Sequence, residues 1–508
     1  MAETSNRAAD METPDVSDVA MKIERAGEVY KAYSGVEAMP STEEVWSWYL
    51  YELCTYFIHT TLIPVVFPLM ISQIVQSPPE PIQGWTRSYM GLPCREKQMQ
   101  LYEKVIHRSI NVSNSKLSPL EWTSFSWALG LILSTPLLAF LSKYLDHGNS
   151  QLIIAGAATA IGSLFCLPVG FFKVKWIFPL YIIAIITANV ITSASHTRHL
   201  GLILRGFTGP ALPKNQFPNR RKFSSKVTLY ATVAGCLGSA LISTFTYHML
   251  RESEKFLSLW VVSIFSGLKW LVGIFHIFFI RPDSIPSTQN SHNLFSIFAY
   301  PHAIGGLIGV FLSSFVTMCI FTGGALHLVG ELCLKPNVFL CFWLTYYFFP
   351  LLSLPLLRPL QHVVKASSVK MKLLGFLLSL ITSGFGFYYH KKAWERNHVL
   401  VFAAVQGTSV GILHAFGRVL VLDCTPPGKE GAFSAWYSWM RNIGTCAGFA
   451  LASAIPGKVH LSFGIAFCAA TVGMTVLVFG NVSDLGGAVK AGLAHGEAKK
   501  TLTPTHLV

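Results

Sequence analysis

The sequence predicts an all-α membrane protein with twelve transmembrane helices in two six-helix bundles. Of its 508 residues, 52% are hydrophobic and only 13% are charged, and the mean hydropathy is +0.47. Soluble domains carry about 25% charged residues, so this deficit marks a chain with many lipid-facing helices. The apolar residues gather into runs of the length that a hydrocarbon layer about 30 Å thick demands, roughly 20 residues per helix. The polar stretch RPDSIPSTQNSHN, residues 281–293, divides those runs six and six.

The first six runs lie near 46–76, 119–142, 151–172, 176–203, 227–250 and 256–280. The second six lie near 294–323, 336–357, 371–389, 399–422, 433–456 and 460–480. The expected organisation is a polar cytoplasmic N-terminus over 1–45, a bundle over 46–280, a linker over 281–293, a second bundle over 294–480 and a cytoplasmic tail over 481–508. Within the N-terminus, DVAMKIERAGEVYKAY has the pattern of a short amphipathic helix. No cationic, apolar and small-residue cleavage pattern opens the chain, so the first run is expected to remain as an anchor. The acidic residues there argue against an organellar transit peptide. Gly305 with Gly309, and Gly444 with Gly448, have the G-x-x-x-G spacing that lets helix backbones approach closely.

An even number of spans puts both ends of the chain on one face. Between the fourth and fifth runs lies LRGFTGPALPKNQFPNRRKFSSK, whose density of Lys and Arg marks the cytoplasmic side. The long loop at 78–118 then falls outside, and its sequon makes Asn111 a candidate for glycosylation, while Asn481 is expected to stay bare. The net charge of +14 raises the question of nucleic acid. Its basic residues sit mostly between apolar runs, which fits membrane-protein loops and not a phosphate-binding face, so no nucleic-acid partner is expected. The ten cysteines form no C-x-x-C pair, and Cys166, Cys236, Cys319, Cys341 and Cys468 lie within apolar runs. They are expected to be small buried side chains, not a disulfide framework or a metal site. The histidines are scattered, with no metal-spaced or Ser/His/Asp group, so neither metal, cofactor nor catalytic residue is expected.

The first run raises the functional question. WSWYLYELCTYFIHTTLIPVVFPLMI carries Glu52 and His59 into hydrocarbon, and a mid-membrane charge costs about 2.5–3.5 kcal/mol on insertion scales. This stretch resembles the first span of the vacuole effluxer family, a branch of the major facilitator superfamily. Trp48, Leu50, Tyr51, Phe57, Phe67 and Pro68 fall in register, with Glu52 in place of the family's aspartate. GRVLVLDCTPPGKEGAFSAWYSWMRNIG resembles the segment from the family's tenth to eleventh span through Arg418, Pro426, Pro427, Gly428, Glu430, Phe433 and Tyr437. The chain departs from the family at FLSKYLDHGNSQ, where Lys143 and Tyr144 stand near the expected acid and the arginines are missing. Gln406-Gly407 also sits about one turn early. The resemblance implies the major facilitator fold, a cavity lined by the first, fourth, seventh and tenth helices, and export of amino acids such as leucine, isoleucine and tyrosine from a vacuole.

On that basis the solute path or gate is expected to involve Trp48, Tyr51, Glu52, His59, Lys269, His302, Gln406, His414, Arg418 and Arg441. Glu52, Arg418 and Arg441 lie at a shared depth, where they can close a cytoplasmic mouth or couple protons. The competing reading is snorkelling or pairing within one helix, and for single histidines a hydrogen-bonded packing role. Lys269, with no acid near it in sequence, is expected to be neutral or paired with a carboxylate on another helix. The functional expectation is a monomeric secondary active transporter of small solutes working by alternating access in the lipid bilayer. Amino-acid efflux from a vacuole or lysosome-like compartment, with protons as coupling ion, is the specific form. A non-transporting receptor and an integral membrane enzyme are the alternatives.

Overall fold

The computed structural model describes residues 40–146, 151–208, 217–253, 256–279, 294–426, 429–480 and 482–489. The expected amphipathic helix at 18–33, the linker at 281–293, Pro427, Gly428 and Asn481 lie outside the described residues. The chain runs α1 (Thr42–Ser72), a surface helix α2 (Glu96–Ile106), a hairpin of β1 (Ile110–Val112) and β2 (Ser115–Leu117), then α3 (Pro119–Asp146), α4 (Gln151–Cys166), α5 (Phe178–Thr208), α6 (Phe217–Ser253) and α7 (Phe256–Val272). The second set is α8 (Pro301–Leu326), α9 (Pro336–Val363), α10 (Ser368–Tyr388), α11 (Arg396–Asp423), α12 (Glu430–Ala454) and α13 (Val459–Phe479).

Eleven of the described helices are long and apolar enough to cross a membrane. The twelfth, α12, carries Glu430, Arg441 and Asn442 among its 25 residues, which lowers its hydropathy, yet it packs on α3, α5 and α8. The pairings repeat between the two sets of six. In the first set α1 packs on α6, α3 on α5, α4 on α5, and α4 on α7. In the second the equivalent contacts are α8 on α12, α9 on α11, α10 on α11, and α10 on α13. Across the seam α3 and α5 meet α12, while α6 meets α9 and α11. Exposed side chains such as Ile132, Phe140, Leu352, Leu356 and Phe479 form an apolar outer surface, as lipid contact requires.

Alternation of the spans puts Ser41 and Asp484 on one face, called inner here, and the segment between α1 and α3 on the opposite, outer face. Several boundaries move from the expected ones. α1 begins four residues early because the Ser41 hydroxyl caps the backbone N–H of Glu44 at 3.1 Å. α6 begins at Phe217, drawing Arg220, Arg221 and Lys226 out of the supposed basic loop and into a helix. α3 continues through Lys143 and Tyr144.

The glycine pairs also resolve. A Cβ on Gly444 or Gly448 would lie 2.4 Å and 2.3 Å from the carbonyl oxygens of Phe311 and Phe315, so both let α12 touch the α8 backbone. Gly305 instead receives Val482, and Gly309 leaves room for the buried Lys372 amine.

One expectation about cysteine fails. Cys94 and Cys333 form a disulfide with Cα atoms 5.3 Å apart. They sit in the outer segments after α1 and after α8, so the bond ties the first six helices to the last six. The residues are 239 positions apart, and only the folded seam brings them together. Cys166, Cys236 and Cys319 are buried as expected, but Cys341 is half-buried and Cys468 exposed.

Candidate functional site

The site starts from a distortion in α1. Pro64 supplies no N–H to the Thr60 carbonyl four residues back. Residues Ile58–Val66 wind as a π-helix, and Tyr347 on α9 donates its hydroxyl to that Thr60 carbonyl at 3.3 Å. Wide turns of this kind concentrate at functional segments. Here Tyr56, just before the turn, and His59 and Thr60 within it line a cavity of about 50 Å³ on the seam. Facing them are Ser313 and Thr317 from α8, Tyr346 and Tyr347 from α9, His414 from α11, and Arg441 and Thr445 from α12. Among the described residues no carboxylate lines this cavity. Arg441 donates to His59 Nε2 at 2.5 Å, and its guanidinium lies 5.8 Å from the Tyr56 ring centre. Arginine stays protonated in proteins, so the cavity holds one fixed positive charge.

Below the cavity the inner end is shut. Glu52 forms an ion pair with Arg418, both side chains being buried, and the Arg418 guanidinium lies 5.4 Å from the Trp48 ring centre. Arg418 also donates to His414 Nε2 at 3.1 Å. Arg220 on α6 donates to Asp423 at 3.1 Å, and Arg221 lies 3.1 Å from Asp484. All three ion pairs join the first half of the chain to the second.

Above the cavity lies an outer vestibule of about 740 Å³, bordered by α1, α2, α6, α8 and α9. Arg95, Lys97, Lys104 and Arg251 contribute to its rim, along with Glu96. Phe321 lines both spaces, and its ring lies 5.2 Å from that of Tyr346. It therefore stands where the two spaces come together.

A second polar group is packed inside the first half. Trp48 Nε1 donates to the His196 carbonyl at 3.1 Å, and the His196 Nε2 meets the Trp48 carbonyl at 3.2 Å. Tyr51 lies between His196 and His276, tilted to both, at ring distances of 4.4 and 4.6 Å. His199 Nε2 lies 2.7 Å from Glu44 Oε1.

The expected site residues therefore divide. Glu52, His59, His414, Arg418 and Arg441 converge on the cavity and its inner seal, with Trp48 beside Arg418. Tyr51, Lys269, His302 and Gln406 do not line the cavity. Lys269 donates to the Gly238 carbonyl at 2.6 Å and lies 4.6 Å from the Phe57 ring centre, with no carboxylate bonded to it among the described residues. Gln406 accepts from Thr382 at 2.5 Å inside the second half, and His302 lies at the inner end of α8, near Gly486. Asn111 is exposed on β1 of the outer hairpin.

The chain matches no family profile and no curated protein sequence. Among solved structures it is similar to the crystal structure of the human organic anion transporter MFSD10 (TETRAN), with a TM-score of 0.54 over 86% of this chain and 100% of that one. The chain has the major facilitator fold. The two share 13% identity, so the likeness speaks to architecture. With its many membrane-length apolar helices, this is a multi-pass membrane protein. In a major facilitator fold, the cavity on the seam and the ion pairs beneath it occupy the place where the two bundles meet.

Reading the sequence missed the tyrosines and hydroxyls of the cavity, the role of Arg220, and the group formed by Glu44, His196, His199 and His276. The last had a signal. SASHTRHLG places two imidazoles three residues apart on one face of an apolar span, a costly arrangement inside a membrane.

Proposed function

We propose that the protein is a secondary active transporter that moves a small solute by alternating access through the cavity on the seam. The observation that carries this is the cavity's position: it lies between two repeated bundles, with ion pairs below and the Phe321 ring above. In this reading the inner seal opens when Glu52 releases Arg418 and the Arg220–Asp423 pair separates. Phe321 then keeps the outer vestibule closed.

The cargo is an anion-bearing small molecule, with amino acids such as leucine and tyrosine as the class that the sequence resemblance implies. Arg441 supports the recognition of a carboxylate, because a guanidinium offers paired donors matched to two oxygens. Tyr56, Thr60 and Tyr347 supply neutral hydrogen bonds beside it. An ammonium group finds tyrosine faces and hydroxyls but no carboxylate among the described residues, so binding is governed by the acidic end of the solute. Efflux from a vacuole or lysosome-like compartment toward the cytosol fits cytoplasmic placement of the inner face. Proteoliposome uptake of radiolabelled leucine, tyrosine and lactate tests the reading. Saturable uptake of at least one is expected. Flux of sugars or inorganic ions with none of these carboxylates would reject it.

A receptor of the same fold would bind the solute without flux. The two buried ion pairs between the halves, Glu52–Arg418 and Arg220–Asp423, favour a moving seam, since a static protein gains little from buried pairs over apolar packing.

A further inference from the structure

Three imidazoles buried in the first half have no place in solute binding. His196 and His199 come from α5, and His276 comes from the turns that follow α7. Their side chains are exposed by 3%, 1% and 1%. Among the described residues no side chain is hydrogen-bonded to either ring nitrogen of His276 or to Nδ1 of His199. Burying such groups without partners is costly, so packing alone does not explain them.

Their order in space is informative. At the cavity, His414 Nε2 lies 4.0 Å from Glu52 Oε1. Glu52 Oε1 is in turn 3.6 Å from His196 Nδ1. The His196 and His276 rings are 5.7 Å apart, and those of His276 and His199 are 5.9 Å apart. His199 Nε2 then meets Glu44 Oε1 at 2.7 Å. Glu44 sits in the first turn of α1, beside the exposed Thr42 and Glu43 on the inner face. The series runs from the cavity to the inner surface through the interior of one bundle, and not through the mouth between bundles.

We infer that Glu52, His196, His276, His199 and Glu44 form a proton relay from the central cavity to the inner face, separate from the solute's exit. The inference rests on the transport reading above and supplies its coupling ion. His196 Nε2 holds its hydrogen on the Trp48 carbonyl, which leaves Nδ1 to take a proton from Glu52. From Nδ1 the proton passes, through a bridging water, to one nitrogen of His276, and the other nitrogen releases a proton toward Nδ1 of His199. His199 gives up its Nε2 proton to the Glu44 carboxylate. Each imidazole gains one proton and loses one, and the net change is a proton moved from Glu52 to Glu44. Neighbouring charges shape the route. Arg418 holds the cavity end of Glu52, and Tyr51 lies between two of the rings. Arg198 is turned to Gln151 on α4. Among the described residues no three His, Cys, Asp or Glu side chains are placed to hold a metal ion.

Two kinds of flux separate the relay from the transport reading. Counterflow exchanges labelled for unlabelled solute without net proton movement, whereas uptake driven by a pH gradient needs the relay in every cycle. Wild-type protein in phosphatidylcholine–phosphatidylethanolamine vesicles is assayed both ways with radiolabelled leucine, tyrosine and lactate. For His276→Phe and, separately, His199→Gln, gradient-driven uptake should fall by about tenfold or more, while counterflow remains near wild type. Retained counterflow also shows that the variants fold. Unchanged gradient-driven uptake in both variants would overturn the relay alone. Loss of counterflow in both would make the rings packing elements and overturn it too. If the wild type exchanges none of the three solutes, the transport reading itself fails and the relay falls with it.

Discussion

The two ends of the seam are closed by different physics. At the inner end the halves meet through the buried pairs Glu52–Arg418 and Arg220–Asp423 and through Arg221–Asp484, in which Arg221 is partly exposed. At the outer end they meet through a covalent bond, Cys94–Cys333, and through aromatic packing in which the Tyr102 ring fills the space that Gly330 leaves open. Burial, helped by the carboxylates of Glu331 and Glu103 and by Tyr89, holds the Tyr102 hydroxyl well above its usual pKa, so that contact stays uncharged. Ion pairs can be exchanged for contacts with water. A disulfide cannot. The contrast teaches that, in the proposed transport cycle, the inner end is the one free to separate, while the disulfide keeps the outer segments tethered.

The comparison is broken most severely at Glu52. Removing one partner of a buried ion pair leaves an uncompensated charge and costs about 3–5 kcal/mol. Glu52→Gln is therefore expected to stop uptake and to lower the melting temperature of the purified protein. The double variant Glu52→Gln with Arg418→Gln should recover most of that temperature and none of the uptake. Full uptake in the single variant would reduce Glu52 to a packing residue.

At the outer end, Cys94→Ser should cost about 2–5 kcal/mol of stability, the usual effect of deleting a native disulfide. A direct measurement sharpens the point. With a protease site placed at residue 287, cleaved protein should run as one band on a non-reducing gel and as two after reduction. Two bands without reductant would mean that the halves are not linked.

Between the two ends, Arg441→Ala removes the cavity's fixed charge. A charge-assisted hydrogen bond contributes about 1.5–3 kcal/mol, so the apparent affinity for a carboxylate solute should weaken by about 10- to 100-fold. Arg441→Lys keeps the charge but loses the paired donors, and should fall between the two. Equal affinities in all three proteins would remove Arg441 from the binding site.

The smallest effect concerns orientation. Asn111, exposed on the outer hairpin, is the sequon expected to accept a glycan, and Asn111→Gln should abolish any glycosidase-sensitive shift without changing uptake. A glycan on Asn481 would reverse the assignment of inner and outer faces.

By itself the sequence determined the class of the molecule. Hydrocarbon thickness sets helix length, so the number and places of the spans follow from composition and run length. It also singled out Glu52, His59, His414, Arg418 and Arg441, because charge in an apolar run is costly wherever it lies. Whether such a residue faces a cavity, a partner or a backbone carbonyl depends on which helix lies opposite, and local sequence does not carry that. Lys269 and Gln406 look as polar as Arg441 in the sequence, yet one is spent on the Gly238 carbonyl and the other on Thr382. Pairing across long separations was also decided by the tertiary structure alone: Cys94 with Cys333, Arg220 with Asp423, and Glu44 with His199 become neighbours only when helices from distant parts of the chain pack side by side.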